Sequence, residues 1–153
     1  MSIREYSSSN QRAIFDIYNL SKLDELRFED NTFSLQPLEE DKVRLQGLME
    51  SEIYVYQEHN RIVAYGAYLE KEIRALFVHP DFRSKGIGNK LMRFLLSCIN
   101  EKAYLYVAAS NQPAKILYQQ YGFRVTDRFL STYNKEPVIV EKMELILSKQ
   151  SED

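Results

Sequence analysis

The spacing of apolar residues predicts two helices in the N-terminal third of the chain, after a short first strand at residues 2–6. Within residues 8–20, apolar side chains recur at the i, i+3, i+4 spacing of one helical face (Ile14, Ile17 and Tyr18). Residues 24–33 are rich in charged side chains, with Phe28 and Phe33 interspersed, which predicts a loop or a broken helix there. Pro37 suits the first turn of the second helix, whose apolar stripe consists of Leu45, Leu48 and Met49.

Beyond this region the pattern changes to β-branched and aromatic runs separated by short polar turns, which is typical of strands. Three such runs lie at residues 53–56, 62–69 and 72–78. Because tight turns join them, they predict an antiparallel meander.

The remainder of the chain alternates helices with strands. A helix should follow the glycines at 86 and 88, since apolar side chains recur there at helical spacing (Ile87, Leu91, Leu95, Cys98 and Ile99). Residues 103–108 are apolar and predict a buried strand. Pro113 opens another helix. Residues 123–125 and 138–147 predict the last strands.

The element order β-α-α-β-β-β-α-β-α-β-β places a helix between the strands at 72–78 and 103–108. These two strands should therefore be parallel, with a right-handed connection. The predicted fold class is α/β (α+β), with a mixed, mostly antiparallel sheet of six to seven strands flanked by about four helices. The 153 residues are the length of one ordinary domain, so we expect a single domain at 1–153.

Charge and cysteine content exclude several classes of protein. With 20 Lys+Arg against 22 Asp+Glu, the chain lacks the basic excess of a nucleic-acid-binding protein. One cysteine and two histidines exclude an internal disulfide and the usual zinc sites, and we expect no metal. No run approaches the roughly 20 apolar residues that span a bilayer, and the N-terminus lacks a signal-peptide pattern. We therefore expect a cytoplasmic protein without membrane or nucleic-acid partners.

The segment at 83–88, with the sequence Arg-Ser-Lys-Gly-Ile-Gly, joins a predicted strand to a predicted helix. The first amides of a helix have no internal partners, and the helix dipole adds partial positive charge. Glycines let a ligand approach the backbone closely. These features predict an anion site, most naturally for a phosphate. The spacing is neither a Walker A loop nor the dinucleotide fingerprint. On these residues alone, a plain strand-to-helix turn stays open.

Two motifs together resemble the GNAT (GCN5-related N-acetyltransferase) family. Arg83-x-x-Gly86-x-Gly88 resembles the family's pyrophosphate signature, Gln/Arg-x-x-Gly-x-Gly/Ala. Residues 111–123 are similar to its Asn-x-x-Ala-x-x-x-Tyr-x-x-x-Gly-Phe segment. The resemblance covers residues 52–147. The first fifty residues match only in secondary structure, and family members diverge there with their substrates.

The resemblance implies acetyl-CoA as co-substrate, with its pantetheine alongside the central strand. The backbone groups for this belong to Leu76, Phe77 and Val78, and a backbone amide there could polarise the thioester carbonyl. Lys85 or Lys90 would reach the 3′-phosphate or would remain a solvated lysine. The pyrophosphate would bind the backbone amides of Arg83, Ser84, Lys85, Gly86, Ile87, Gly88 and Asn89.

The resemblance also implies acetyl transfer by direct attack of an amine, with a base for the amine and an acid for the departing thiolate. Glu72 stands eleven residues before Arg83, like the catalytic glutamate of the family's histone acetyltransferases. The alternatives are a surface role for Glu72 with a different base or ordered water. Tyr118 stands at the position of the general acid and would also contact the bound CoA, or it is a packed helical tyrosine. Asn111 would bond the pantetheine amides, cap the next helix, or do both.

The acceptor site is expected between residues 18–35, the hairpin at 52–69 and the loop before the last strand. Its candidate residues are aromatic or acidic: Phe28, Phe33, Tyr54, Tyr65, Tyr133, Glu25, Glu29 and Asp30. The acceptor would be a primary amine of a small molecule or a peptide, and a homodimer is common in the family. A non-catalytic acyl-CoA sensor on the same fold is the alternative function. His79 and Cys98 are predicted to be structural.

Overall fold

The computed structural model describes residues 3–146, which form one seven-stranded sheet with helices on both faces. The strands are β1 (Ile3–Glu5), β2 (Glu52–Glu58), β3 (Arg61–Leu69), β4 (Glu72–Val78), β5 (Tyr104–Ala108), β6 (Phe123–Tyr133) and β7 (Glu136–Leu145). The helices are α1 (Gln11–Ser21), α2 (Lys42–Met49), α3 (Ile87–Ile99) and α4 (Gln112–Gln120). The strand order β1-β2-β3-β4-β5-β7-β6, antiparallel except at β4–β5, confirms the predicted fold class.

The helices divide between the two faces of the sheet. Helices α1 and α2 share a core with inward residues of β2, β3 and β4, whereas α3 and α4 pack on the opposite face. The predicted α1 face is confirmed, because Ile14, Ile17 and Tyr18 are all buried. Gly66 on β3 lets α3 lie close to the sheet, since a Cβ there would be 2.9 Å from Leu95 Cδ1. No helix among residues 3–146 is long and apolar enough to cross a membrane.

Strands β4 and β5 are parallel, as predicted, but they pair at one position only, Glu72 opposite Tyr104. The Tyr104 amide donates to the Lys71 carbonyl over 2.9 Å at this point. Beyond it the two strands separate, so the edge of β4 toward Val78 has no neighbouring strand on that side within the described residues. The sheet is therefore split by a wedge-shaped gap whose narrow end lies at Glu72.

The connection between α1 and α2 differs from the prediction. Residues Lys22–Leu26 form a 3-10 turn directly after α1, and Leu38–Glu40 form a second one. Helix α2 begins only at Lys42, because the Asp41 carboxylate accepts the Arg44 amide over 3.2 Å and caps it. Placing Pro37 in the first turn of that helix was therefore wrong.

The C-terminal hairpin also differs from the prediction. β6 extends to Tyr133, where a loop was expected after residue 125. Most of β6 is exposed, since it is an edge strand, and so it lacks the apolar alternation that marks a half-buried strand. The turn after it places Asn134 and Lys135 at positive φ, which suits a tight hairpin. Residues 2 and 147, which the first and last predicted strands included, lie outside the described residues.

Candidate active site

The turn before α3 presents free backbone amides to solvent. Gly86 occupies the N-cap position with φ +81°, a left-handed conformation that favours glycine. The amides of Ile87, Gly88 and Asn89 follow it, and the first turn of a helix offers them no carbonyl. A Cβ on Gly86 would meet nothing within 4 Å, and one on Gly88 would meet only Val78 Cγ2 at 3.7 Å. The space in front of these amides is therefore open to a ligand.

The cations around this turn are mostly exposed. Arg83 donates to Asp24 over 2.6 Å and to the Val78 carbonyl over 3.4 Å. The Lys85 ammonium lies 5.3 Å from the centre of the Phe82 ring. The Lys90 ammonium is 3.5 Å from the Tyr56 hydroxyl. Arg83 is thus already paired, while the two lysines lack a carboxylate partner among residues 3–146 and remain candidates for a phosphate.

The gap between β4 and β5 opens into a cavity of about 630 Å³. Leu76, Phe77 and Tyr106 line it from the separated strands, Tyr118 from α4, and Tyr18 from α1. A smaller cavity of about 160 Å³ adjoins it, sharing Lys22, Glu25, Arg44, Tyr106 and Tyr118 in its wall. The larger volume is in the range of sites for small ligands.

Tyr118 lies where the two cavities meet. Its ring packs edge to face on Phe123, with ring centres 6.1 Å apart. Burial, and then the negative charge of Glu25, raises the pKa of the Tyr118 hydroxyl well above its usual value. The hydroxyl therefore keeps its proton at neutral pH and can donate it to a departing anion.

Glu72 lines the larger cavity at the narrow end of the gap. Its carboxylate accepts from Arg74 Nε over 3.0 Å. The same guanidinium reaches the Gly47 carbonyl over 3.0 Å and Glu50 over 3.4 Å, both in or next to α2. The candidate base is therefore held in an ion-pair network at the edge of the cavity.

Asn111 is buried and lines the smaller cavity. It occupies the N-cap position of α4, but its side chain makes no capping hydrogen bond. The capping role suggested by the sequence is therefore absent, and the side chain is free to bond a ligand in the cavity that Asn111 lines. His79 Nδ1 accepts the Asp81 amide over 3.0 Å, which agrees with a structural role. Cys98 is half-buried.

The structure separates the predicted acceptor-site aromatics into two groups. Tyr65 and Tyr133 are buried and line the larger and the smaller cavity, respectively, and Phe33 packs on Tyr133 at 6.4 Å between ring centres. Phe28 is 52% exposed and lines neither cavity. Tyr54 lies on the opposite face of the sheet, 4.7 Å between ring centres from Phe94 of α3, so it does not reach the acceptor side.

The predicted acidic candidates also separate. Glu25 lies on the 3-10 turn Lys22–Leu26 and lines both cavities. Glu29 accepts a hydrogen bond from the Ser110 hydroxyl instead, and Asp30 is exposed. Of the three, Glu25 alone reaches the site.

Four further residues line the larger cavity and were not named individually from the sequence, although the predicted acceptor region 18–35 includes the first two: Tyr18, Lys22, Arg44 and Arg74. Tyr18 is 5% exposed, and its hydroxyl has no hydrogen-bond partner among residues 3–146. Helical spacing identified Tyr18 as a core residue and carries no signal that its hydroxyl reaches a cavity. The three cations belong to charged segments whose partners the sequence does not reveal.

A parallel strand pair that separates beside the free N-terminus of a helix, within this strand order, defines the acyl-CoA N-acyltransferase fold. A model of the "Acetyltransferase (GNAT) domain" matches residues 49–125, half of the chain. The chain therefore belongs to the GNAT family, as the two sequence motifs predicted.

Similar proteins extend this result. The human Cysteine-rich protein 2-binding protein is 38% identical over 81 residues, which are 48% of this chain and 10% of that protein. The chain thus spans about a tenth of the length of the curated relatives it matches. The Ribosomal-protein-alanine N-acetyltransferase of Brucella melitensis superposes with a TM-score of 0.73 at 19% identity, covering 96% of this chain and 100% of that one. A phosphinothricin acetyltransferase of Sinorhizobium meliloti, in complex with AcCoA, gives 0.67 at 16% identity, covering 94% and 86%. At these identities the structures show a shared fold.

Proposed function

We propose that the protein transfers an acetyl group from acetyl-CoA to a primary amine of a small molecule or a peptide. The observation that carries this proposal is the gap between β4 and β5, which opens into a cavity lined by the half-buried, protonated Tyr118, while the free amides of α3 follow the turn at the end of β4. The S. meliloti structure, which contains AcCoA, supports the choice of co-substrate.

The chain's own groups would hold acetyl-CoA along β4 and at the turn before α3. The unpaired edge of β4 at Leu76, Phe77 and Val78 offers main-chain groups to an extended pantetheine. The amides from 83 to 89 would hold the pyrophosphate, where the helix dipole favours negative charge. The buried Asn111 amide lines the smaller cavity on the far side of the gap and would bond the pantetheine from there. Acetyl-CoA, when bound, supplies an activated acyl group and a thiolate leaving group.

Side chains of the cavity would transfer the protons of the reaction. Tyr118 would donate its hydroxyl proton to the thiolate, since burial keeps that hydroxyl protonated. A carboxylate, directly or through water, would take a proton from the amine. Glu72 is the candidate that the sequence offers for this role, and its pairing with Arg74 means that the ion pair must loosen for it to act.

Calorimetry with acetyl-CoA, coenzyme A and ATP tests the binding half of the proposal. We expect both CoA species to bind and ATP to bind weakly, because ATP lacks pantetheine to pair with β4. Absence of CoA binding would refute the proposal. Release of free thiol with a panel of spermidine, tyramine, glycinamide and peptides with a free N-terminal alanine then tests catalysis. Binding without thiol release for any acceptor would indicate an acyl-CoA sensor.

A further inference from the structure

We propose that Glu25 binds the ammonium group of the acceptor and takes its proton, while the Tyr18 hydroxyl bonds the same acceptor molecule. This inference rests on the proposed acetyl transfer and names the acceptor side of that site. It replaces Glu72, the residue suggested by the sequence, as the proton acceptor.

The position of Glu25 is the first reason. Among residues 3–146, Glu25, Glu50 and Glu72 are the acidic residues of the larger cavity, and Glu25 alone also lines the smaller one. Tyr118 is likewise common to both cavities. Glu25 therefore faces the space next to the general acid, where the nitrogen must lie to attack the thioester.

The surroundings of Glu25 are the second reason. Its carboxylate is 2.8 Å from the Lys22 ammonium, and its side chain is 37% exposed. Arg44 is the other cation in the walls of both cavities. The tyrosines around Glu25 come from four elements of the fold. Burial is the larger cause of their raised pKa values, and the charge of Glu25 adds to it in each of Tyr18, Tyr65, Tyr118 and Tyr133.

The neutral hydroxyl groups of these four tyrosines and the carboxylate of Glu25 together make a polar pocket suited to an ammonium group. Lys22, the one cation paired with Glu25 among residues 3–146, lies on the same 3-10 turn and also stacks on Tyr133, 5.4 Å from the ring centre. An incoming ammonium group can therefore share Glu25 with Lys22, which has a second favourable contact.

The Tyr18 hydroxyl gives independent support for a ligand here. The Tyr18 side chain lines the larger cavity, and its hydroxyl is buried and has no partner among residues 3–146. Buried polar groups in folded proteins are nearly always hydrogen-bonded. In this proposal a polar group of the acceptor supplies the missing partner from the cavity that Tyr18 lines.

Glu72 is less suited to the role. Both carboxylates are paired, Glu25 with Lys22 at 2.8 Å and Glu72 with Arg74 Nε at 3.0 Å, but Arg74 is also anchored to the carbonyl of Gly47. Glu72 lies at the narrow end of the gap, where β4 and β5 still pair. Its geometry is that of a residue that fixes α2 against β4.

The proton balance closes with Glu25 as acceptor. An ammonium group carries three protons, and one passes to Glu25 to free the nitrogen lone pair. The C–N bond forms, the C–S bond breaks, and the sulfur takes the proton of Tyr118. A second nitrogen proton returns to Tyr118, the third stays on the amide, and Glu25 releases its proton to solvent through its exposed side.

Glu25→Gln, Glu72→Gln and Tyr18→Phe test the proposal with the four panel acceptors named above. For Glu25→Gln we expect kcat/KM for the amine to fall by about 100-fold or more, with acetyl-CoA affinity unchanged within about twofold. The rate of the Glu25→Gln variant should also rise about tenfold per pH unit up to the pKa of the amine, because this variant can use only amine that is already deprotonated in solution. Tyr18→Phe should raise the KM for the amine about fivefold to tenfold and leave kcat nearly unchanged.

Glu40→Gln is the matched control, since Glu40 is exposed on the neighbouring 3-10 turn and lines neither cavity. A loss that appears in Glu72→Gln and not in Glu25→Gln would overturn the assignment. So would an unchanged pH profile in Glu25→Gln. Failure of the proposed function itself looks different, because wild-type protein would then bind no CoA or release no thiol.

Discussion

Replacement of Glu141 by glutamine should destabilise the protein by about 3 kcal/mol, because it leaves a buried ammonium group without its counter-charge. Lys115 on α4 lies 2.6 Å from the Glu141 carboxylate on β7, and their side chains are only 12% and 9% exposed. Lys115 also donates to the Ala109 carbonyl over 3.2 Å. The pair therefore fastens the start of α4, which carries Asn111 and Tyr118, to the sheet.

The magnitude follows from what each variant leaves behind. Removing one member of a buried ion pair costs about 3–5 kcal/mol. The lower end applies to Glu141→Gln, since glutamine keeps one oxygen for Lys115. Lys115→Met should cost less, about 2 kcal/mol, because Arg128 still lies 3.6 Å from Glu141. The double variant Lys115→Met/Glu141→Leu removes both charges and should recover most of the loss.

Urea unfolding followed by circular dichroism measures these differences, and a double-mutant cycle gives the coupling energy between the two residues. Arg128→Gln is the control, since the Arg128 side chain is 66% exposed and its loss should cost no more than about 1 kcal/mol. Two results would refute the reasoning. One is a cost below about 1 kcal/mol for Glu141→Gln, and the other is strict additivity in the double variant.

Three further predictions address the phosphate turn (residues 83–89), the general acid Tyr118 and three tyrosines whose pKa values are raised. Gly86→Ala should lower the free energy of unfolding, measured in urea, by about 1–2 kcal/mol, because residue 86 has a positive φ. Ser84→Gly should raise it, because Ser84 also has a positive φ, of +65°. Tyr118→Phe should lower the rate of thiol release about 100-fold and leave acetyl-CoA affinity, measured by calorimetry, within about twofold. Burial raises the pKa of Tyr18, Tyr65 and Tyr118, so each stays protonated in the folded state while the unfolded state ionises near pH 10. These tyrosines contribute their full stabilisation of the folded state below pH 10. Above pH 10 the free energy of unfolding should fall by about 1.4 kcal/mol per tyrosine per pH unit. Urea unfolding at stepwise pH would detect this fall, and a constant urea midpoint would contradict the prediction.

The parts of the fold that the sequence predicts are those whose local pattern matches their burial. Helix α3 buries one continuous stripe, including Leu91 and Leu95, so its apolar spacing and its position agree. The meander β2–β3–β4 was recognisable because tight turns separate its apolar runs. The predicted β6 was far too short, because an edge strand exposed on both faces lacks the alternation of apolar and polar residues that marks a strand. Pro37 misled because its fixed φ also suits the residue before a 3-10 turn.

The candidate site likewise has a part that the sequence predicts and a part that it does not. Its phosphate side depends on backbone amides next to Gly86, so a short motif in the sequence suffices to find it. Its acceptor side combines residues from α1, α2, β6 and the turn after α1, and no local pattern records which of them meet. Tyr54 and Tyr65 show the difficulty, since they lie on adjacent strands but on opposite faces of the sheet. Only the strand register distinguishes them.

The 3-10 turn Lys22–Leu26 joins the two sides of the site. Successive residues of a 3-10 helix point about 120° apart, and here Asp24 pairs with Arg83 of the phosphate turn while Glu25 lines the acceptor cavity. A phosphate that draws Arg83 away from Asp24 would therefore act on the same turn that carries Glu25. The N-terminal region, which shares only secondary structure with the family motif, is thus where acceptor recognition and co-substrate binding would meet.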